Sequence, residues 1–442
     1  MDRLSRFFKL VHNEYTKIFK KGGTAAILIL MTIVVIVFEI LLCATAEKRD
    51  SSDGMAPAWS EENYNNFYNS IGYSNDAAKA HKLELLEYMK NNSLSTNTWG
   101  GNLLMVYVNH PYAQQEDFPK DEVARIKEYI AQDDWKGCYS YALENTDLPE
   151  DMRWEMNFRA EHNIKPQMND HTDSLIDKIR GIQADTGGKG ALTQSQKDKI
   201  AVYTYQLEHD ITINVADYTI SESVVENTWG AWTFSSGLIY VVAVAMMIFA
   251  GNIVANEYSQ GTIKFLLVNP VKRWKILASK LFTVMTLAFV LLLIVFIFSG
   301  LCASLFIGAN GQKAAWLTVT DGKVRESSAL AFIIEQWLLQ SITLFVLVTL
   351  AFSLSTFSRK SSVAIALSIV CIFVGNTITS LLAVFECDWG RFLLFANLDI
   401  RGIAAGESMF YRQSVGFAVF VLVEHMVVFI ITAFDSFRRK SV

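Results

Sequence analysis

Apolar residues in this chain are gathered into long blocks, and those blocks set its class. Thr24 to Ala46 carries one charge, Glu39. No charged residue occurs between Glu226 and Glu257, Lys280 and Lys313, Glu335 and Arg359, or Lys360 and Glu386. Gln413 to Phe434 contains only Glu424 and His425. A helix needs about 20 apolar residues at 1.5 Å rise to cross hydrocarbon, so the pattern predicts six transmembrane helices. In residues 47–228 the pattern changes to short amphipathic stretches. Ala77, Ala80, Leu83, Leu86 and Tyr88 fall near one face of a helix over 76–90. Pro119 followed by Asp121 and Glu122 opens a helix to Ile130, and Leu148-Pro149-Glu150-Asp151 opens one to about His162. Thr193 to Glu208 is a further candidate. The expected fold is an all-α membrane protein with six transmembrane helices and a large, mostly helical extracellular insertion between helices 1 and 2.

Smaller elements fill the frame. Residues 1–23 read as an amphipathic elbow lying in the membrane surface. Phe7, Phe8, Val11, Tyr15 and Phe19 follow one helical face, with Arg6, Lys9, Lys17 and Lys20 on the other. The rings can sink below the headgroups while the lysines meet anionic lipid; the alternative is a solvated tail. Gly22-Gly23 leads into helix 1 (24–46), the insertion follows (47–228), and 229–442 holds helices 2–6. Ala44-Thr45-Ala46 has the form of a cleavage site, but the apolar run is longer than a signal core and follows a basic amphipathic helix, so helix 1 is expected to be retained. Trp316 to Arg325 reads as a β-hairpin, because Asp321-Gly322 supplies the positive φ values of a type I′ turn. Trp389 to Phe410, half apolar and half polar, suits a re-entrant or interfacial helix.

Charge gives the orientation. Basic residues precede helix 1, lie between helices 2 and 3 (Lys264, Lys272, Arg273, Lys275, Lys280) and between helices 4 and 5 (Arg359, Lys360), and follow helix 6 (Arg438, Arg439, Lys440). All four groups fall on one side of a six-helix model, and excess Lys and Arg marks the cytoplasm. Both termini are then cytoplasmic in a multi-pass plasma-membrane protein, and the insertion, with 17 basic and 31 acidic residues over 47–226, lies outside. Only Cys138 of the five cysteines lies in the insertion, which excludes a disulfide scaffold there unless it pairs at the membrane edge.

Residues 256–275 stand out chemically as a basic, partly apolar segment held between two spans. Gly261-Thr262 interrupts helix 2, a short apolar stretch follows, Pro270 ends it, and Lys272-Arg273-Trp274-Lys275 anchors the next helix at the headgroups. A plain basic loop is the alternative. No hydrolytic or motor site accompanies it: Gly187-Gly188-Lys189-Gly190 lacks the spacing and the Ser/Thr of a phosphate-binding loop, and HExxH, GxSxG and clustered Cys/His are absent. No metal site and no nucleic-acid partner are expected.

Glu257, Gly261-Thr262, Leu266-Leu267, Pro270, Arg273 and Lys280 resemble the E…GT…LL..P..R……K signature of ABC-2 type transporter permeases, and Asn13-Glu14 to Lys21 resembles that family's start. The likeness covers the six-helix frame, about 260 residues, and leaves out the insertion. It implies a bacterial export permease with no cofactor of its own. ATP and Mg would bind a partner ATPase dimer, and a second permease, identical or paired, would complete the pathway. Glu257, Gly261, Thr262, Leu266, Leu267, Pro270, Arg273 and Lys275 would form the coupling segment, with Glu257 and Arg273 as polar and Leu266 and Leu267 as apolar docking contacts. The substrate would be amphipathic: an antimicrobial peptide, a lipid-like molecule or a drug. Glu39, Glu335, Glu424 and His425 are intramembrane charges that face a pathway, exchange protons or are satisfied structurally. A membrane-anchored sensor or ligand-binding protein, acting through the acidic outer domain, is the competing reading; an intramembrane enzyme lacks a catalytic cluster.

Overall fold

The computed structural model describes residues 2–20, 22–50, 61–73, 77–94, 98–166, 170–184, 192–217, 227–263, 272–308, 313–358 and 360–439. The chain forms two compact units: Met1–Asp50, Val215–Gly311 and Ser327–Val442 make the first, and Ser51–Asn214 with Gln312–Glu326 the second. Most of the chain is helical.

In the first unit, α1 (Asp2–Phe19) precedes α2 (Gly22–Asp50). In the second, helices follow in the order α3 (Glu61–Gly72), α4 (Lys79–Asn91), α5 (Trp99–Asn109), α6 (Lys120–Ala131), α7 (Trp135–Asn145), α8 (Glu150–Glu161), α9 (Asp170–Ala184) and α10 (Gln194–Glu208). The chain returns to the first unit through α11 (Thr228–Phe234), a 3₁₀ turn (Ser235–Leu238), α12 (Ile239–Ile253) and α13 (Ala255–Ser259). Then come α14 (Arg273–Phe306), α15 (Ala329–Phe357), α16 (Ser361–Val384), the short α17 (Ile400–Ala404) and α18 (Val415–Arg439). Among the described residues, six segments are long and apolar enough to cross a membrane: Gly22–Ala44, Thr228–Ser259, Arg273–Phe306, Ala329–Phe357, Ser361–Val384 and Val415–Arg439. This is a membrane protein with transmembrane helices.

Helices α12 and α15 form the centre of the first unit, packing on each other, with α18 on α15 and α14, α16 and α2 around α12. Most of their apolar residues are buried, whereas few of those on α16 and α18 are. The outer helices therefore turn Val370, Phe373, Leu381, Phe420 and Ile431 outward, which is stable only against lipid or another protein. Residues 388–404 form 3₁₀ turns and α17 rather than one long helix. They fold back on α16, where Phe395 lies so close to Gly375 that a Cβ there would clash with its ring.

The second unit is built on helix caps and apolar clusters. Thr98, Asp134 and Thr193 accept backbone N–H bonds at the starts of α5, α7 and α10, and Thr193 with Gln196 closes a capping box. One cluster centres on Leu85, Leu86, Met89, Leu104, Ile126 and Cys138, another on Ile176 and Ile179. A small sheet modifies the all-α expectation. β1 (Ile213–Asn214) pairs in parallel with β2 (Ala314–Thr320), in register Ile213 to Ala314, and β2 turns through Asp321 (φ +53°) and Gly322 (φ +72°) into β3 (Lys323–Ser328). Val202, Tyr205, Ile211 and Leu317 cover it. The hairpin thus joins the unit formed by the long insertion.

Candidate functional site

The segment between the second and third spans begins at a break in a helix. The ladder of α12 is interrupted at Val254, and the Ser355 hydroxyl of α15 accepts the freed N–H groups of Val254 (3.2 Å) and Ala255 (3.0 Å). A broken helix is tolerated at membrane depth when a neighbour satisfies its backbone in this way. The single turn of α13 then carries Glu257. Gly261 follows α13 at φ +69°; nothing lies within 4 Å of where its Cβ would be, so the left-handed backbone, not crowding, is what calls for glycine.

Glu257 lies in a four-membered charge cluster. Lys280, on α14 and 2% exposed, donates to Glu14 of α1 at 2.7 Å and to Glu257 at 3.2 Å. Lys17 donates to Glu257 at 2.9 Å and stands 3.5 Å from Glu14. The Thr262 hydroxyl donates to the other oxygen of Glu257. Two acids and two lysines leave no net charge, and three of the four are buried. Burial alone would lower the pKa of Lys17, but its hydrogen bond to Glu257 and the two carboxylate charges outweigh this and raise it.

Alongside the charges, α1 packs on α14. Phe7 meets Phe282 edge-on at 5.9 Å, the Tyr15 hydroxyl bonds Thr286, and Val11 is 5% exposed. The elbow face is therefore divided: Val11 and Ile18 are buried, Phe7 and Tyr15 half-buried against α14, and Phe8 and Phe19 outward, with stacked rings joining Tyr15 and Phe19.

The remaining residues singled out in the sequence fall as follows. Leu266, Leu267 and Pro270 lie outside the described residues. Arg273 is exposed at the first turn of α14, and Lys275 stands 5.7 Å from the Trp274 ring. Glu257, expected as an outward docking contact, is only 8% exposed and spends its carboxylate on Lys17, Lys280 and Thr262. Glu335 and Glu424 are exposed on α15 and α18, and half-buried His425 engages the Val421 carbonyl of its own helix at 2.8 Å. Glu39 is buried. The partnership of Glu14 with Lys280 was not foreseen. The signal for it was an acid on the apolar face of a basic helix and a lysine at the mouth of an apolar run. Among the described residues, no group of three His, Cys, Asp or Glu is placed to hold a metal.

Comparison with known proteins gives a family without an assigned activity. The family model described as a protein of unknown function, DUF2705, matches residues 193–442. The chain belongs to this family. Two Bacillus subtilis (strain 168) proteins are similar: the uncharacterized protein YhcI, 32% identical over 57% of this chain and 78% of its own, and the uncharacterized membrane protein YdbK, 32% identical over 50% of this chain and 87% of its own. No solved structure matches. The DUF2705 match takes in spans two to six and the charged segment, and leaves out α1, the first span and most of the second unit.

Proposed function

We propose that this DUF2705 protein is the membrane-embedded permease subunit of an ATP-driven transporter, resembling the ABC-2 type, and that a separate ATPase moves it through residues 256–275. One observation carries the reading. Glu257, at the start of that segment, and Lys280, just beyond its end, stand 3.2 Å apart and are both held by α1 through Lys17 and Glu14. A load on the segment therefore acts on the second span, the third span and α1 together. The break at Val254, held by Ser355, gives the second span a place to bend. Gly261, Thr262, Arg273 and Lys275, with Leu266, Leu267 and Pro270, are the residues we assign to docking; Glu257 we assign to the clamp beneath them. ATP and Mg belong to the partner ATPase dimer, and a second permease covers the outward apolar helices α16 and α18. The basic segments favour a cytoplasmic side for both termini in a bacterial plasma membrane, with the acidic unit outside and an amphipathic substrate exported.

The test is affinity purification of the tagged chain from its own membranes. A soluble ATPase should copurify, its hydrolysis should rise on reconstitution with the chain, and Gly261→Pro should uncouple hydrolysis from transport while insertion persists. Nucleotide turnover by the chain alone, or labelling of 256–275 from the cell exterior, would overturn the reading. The rival, a membrane-anchored sensor, finds its support in a cavity of about 520 Å³ in the second unit, lined by Asn102, Met105, His110, Asp147 and Met152 among others. A receptor of that kind would bind its ligand with no ATPase attached.

A further inference from the structure

Glu39 is the one acid of the first span, and it faces inward. It is 2% exposed on α2. One carboxyl oxygen, Oε1, bonds the Ser299 hydroxyl of α14 at 2.6 Å; the other, Oε2, is buried with no hydrogen-bond partner. Around it, Leu42, Ala231 and Ala303 form an apolar cluster with Phe38, Trp232 and Phe234, and the Phe38 and Phe234 rings stack at 6.0 Å.

Among the described residues, no protein cation reaches this carboxyl. From its own helix the titratable neighbour is Cys43, and from α14 it is Cys302; these two also touch each other, Cys43 Sγ facing the Cys302 carbonyl at 4.0 Å. The basic residues of α14 stand at its other end: Lys280 is 19 residues from Ser299, about 28 Å along a helix. Helix α12 brings only Tyr240, whose hydroxyl donates to the Leu398 carbonyl. Helix α11 and the turn after it carry no ionisable group. Helix α1, joined to the other end of α2, commits Glu14 and Lys17 to the charge cluster. Arg401 donates to the Thr233 carbonyl and to Ser236, and the carboxylates acting on it are Asp399 and Glu407.

A carboxylate with no cation beside it costs more in such surroundings than a neutral acid, because hydroxyls replace only part of the water it loses. We infer that Glu39 is a proton-binding site: the packed junction of α2, α14 and α11 holds it as a neutral carboxylic acid, and opening that junction releases the proton to water. The acidic hydrogen sits on Oε2 or is shared with Ser299, whose hydroxyl serves as donor or acceptor. Ser235 is a second hydroxyl against the carboxyl, and its own hydrogen is engaged by the Ala231 carbonyl at 3.0 Å, leaving its oxygen free to accept the proton of Glu39. Each opening of the first span from the third is thereby tied to one proton, whatever drives the opening.

The experiment is difference infrared spectroscopy of the full chain in lipid nanodiscs, with carbon-13 glutamate to isolate glutamate carbonyls. A neutral-acid C=O stretch should be present at neutral pH in the wild type and lost in Glu39→Gln, which keeps the shape of the neutral acid. Absence of the band from the wild type, which needs no variant to fold, would overturn the inference. So would a band unchanged in folded Glu39→Gln. A second readout is Cys43 labelling by a membrane-permeant maleimide. Its rise with pH should be several-fold steeper in the wild type than in Glu39→Gln, since ionised Glu39 opens the junction; equal slopes count against the proposal.

Discussion

Replacing Lys280 by Met is the sharpest test of the clamp. Lys280 is 2% exposed, and its ammonium is shared between Glu14 at 2.7 Å and Glu257 at 3.2 Å. At an effective dielectric near 20, each contact is worth about 5–6 kcal/mol of gross attraction. Desolvating the three buried groups takes back most of this, so the pairing itself adds little to net stability. Removing one partner is another matter: two carboxylates are left buried with only half-exposed Lys17 beside them, at a cost of about 3–5 kcal/mol. Lys17, whose side chain is 47% exposed, sets the contrast: Lys17→Met should cost about 0.5–1 kcal/mol, as for a solvent-screened pair. The assay is denaturant or thermal unfolding of the purified chain in one detergent, at one ionic strength. Adding Glu257→Gln to Lys280→Met should recover part of the loss, because it removes one stranded charge. A cost for Lys280→Met no larger than that for Lys17→Met, or no recovery in the double variant, would refute the reasoning.

Other expectations follow from single contacts. Ser355→Ala should lower stability by about 1–3 kcal/mol by stranding the buried N–H groups of Val254 and Ala255, and amide exchange should rise at those two positions first. Gly375→Ala should destabilise despite a gain of about 1 kcal/mol in helix propensity, since a Cβ driven into the Phe395 ring overpacks at about 1–3 kcal/mol; Gly375→Ala with Phe395→Leu should restore the melting temperature. Burial, aided by the charge of Lys178, holds His171 below its ordinary pKa against the hydrogen bond to the Ile211 carbonyl. The unfolded chain then binds more protons as pH falls below about 6.5, so this contribution to the second unit is full above that value and declines on acidification. Hydrogen exchange over α9 between pH 7 and 5 should show it, and His171→Gln should flatten the dependence.

Much of this was legible in the sequence because it depends on local chemistry. The spans follow from unbroken apolar runs, and α6, α8 and α10 from Pro, acidic first turns and Thr193. Helix α5 was not legible: Leu103, Leu104, Met105, Tyr107 and Val108 are all buried, so it shows no polar face and no helical period. The interruption of the second span at Val254 was also hidden, since no Pro marks it, Gly251 packs closely on Ile365, and the compensating hydroxyl, Ser355, is about 100 residues away.

The order of residues alone determined that this chain has six segments long and apolar enough to cross a bilayer, carries a basic segment between the second and third of them and bears a large acidic insertion. Hydrophobic length and charge count are sums over neighbours, and neighbours are what a sequence records. Only the tertiary structure decided which charges meet. Glu14, Lys280 and Glu257 are brought together across 266 and 23 positions, and Glu39 meets hydroxyls and thiols, and no cation, among the described residues. Whether a buried charge is paired depends on the rotation of each helix about its axis, which is set by side chains on helices far apart in the chain.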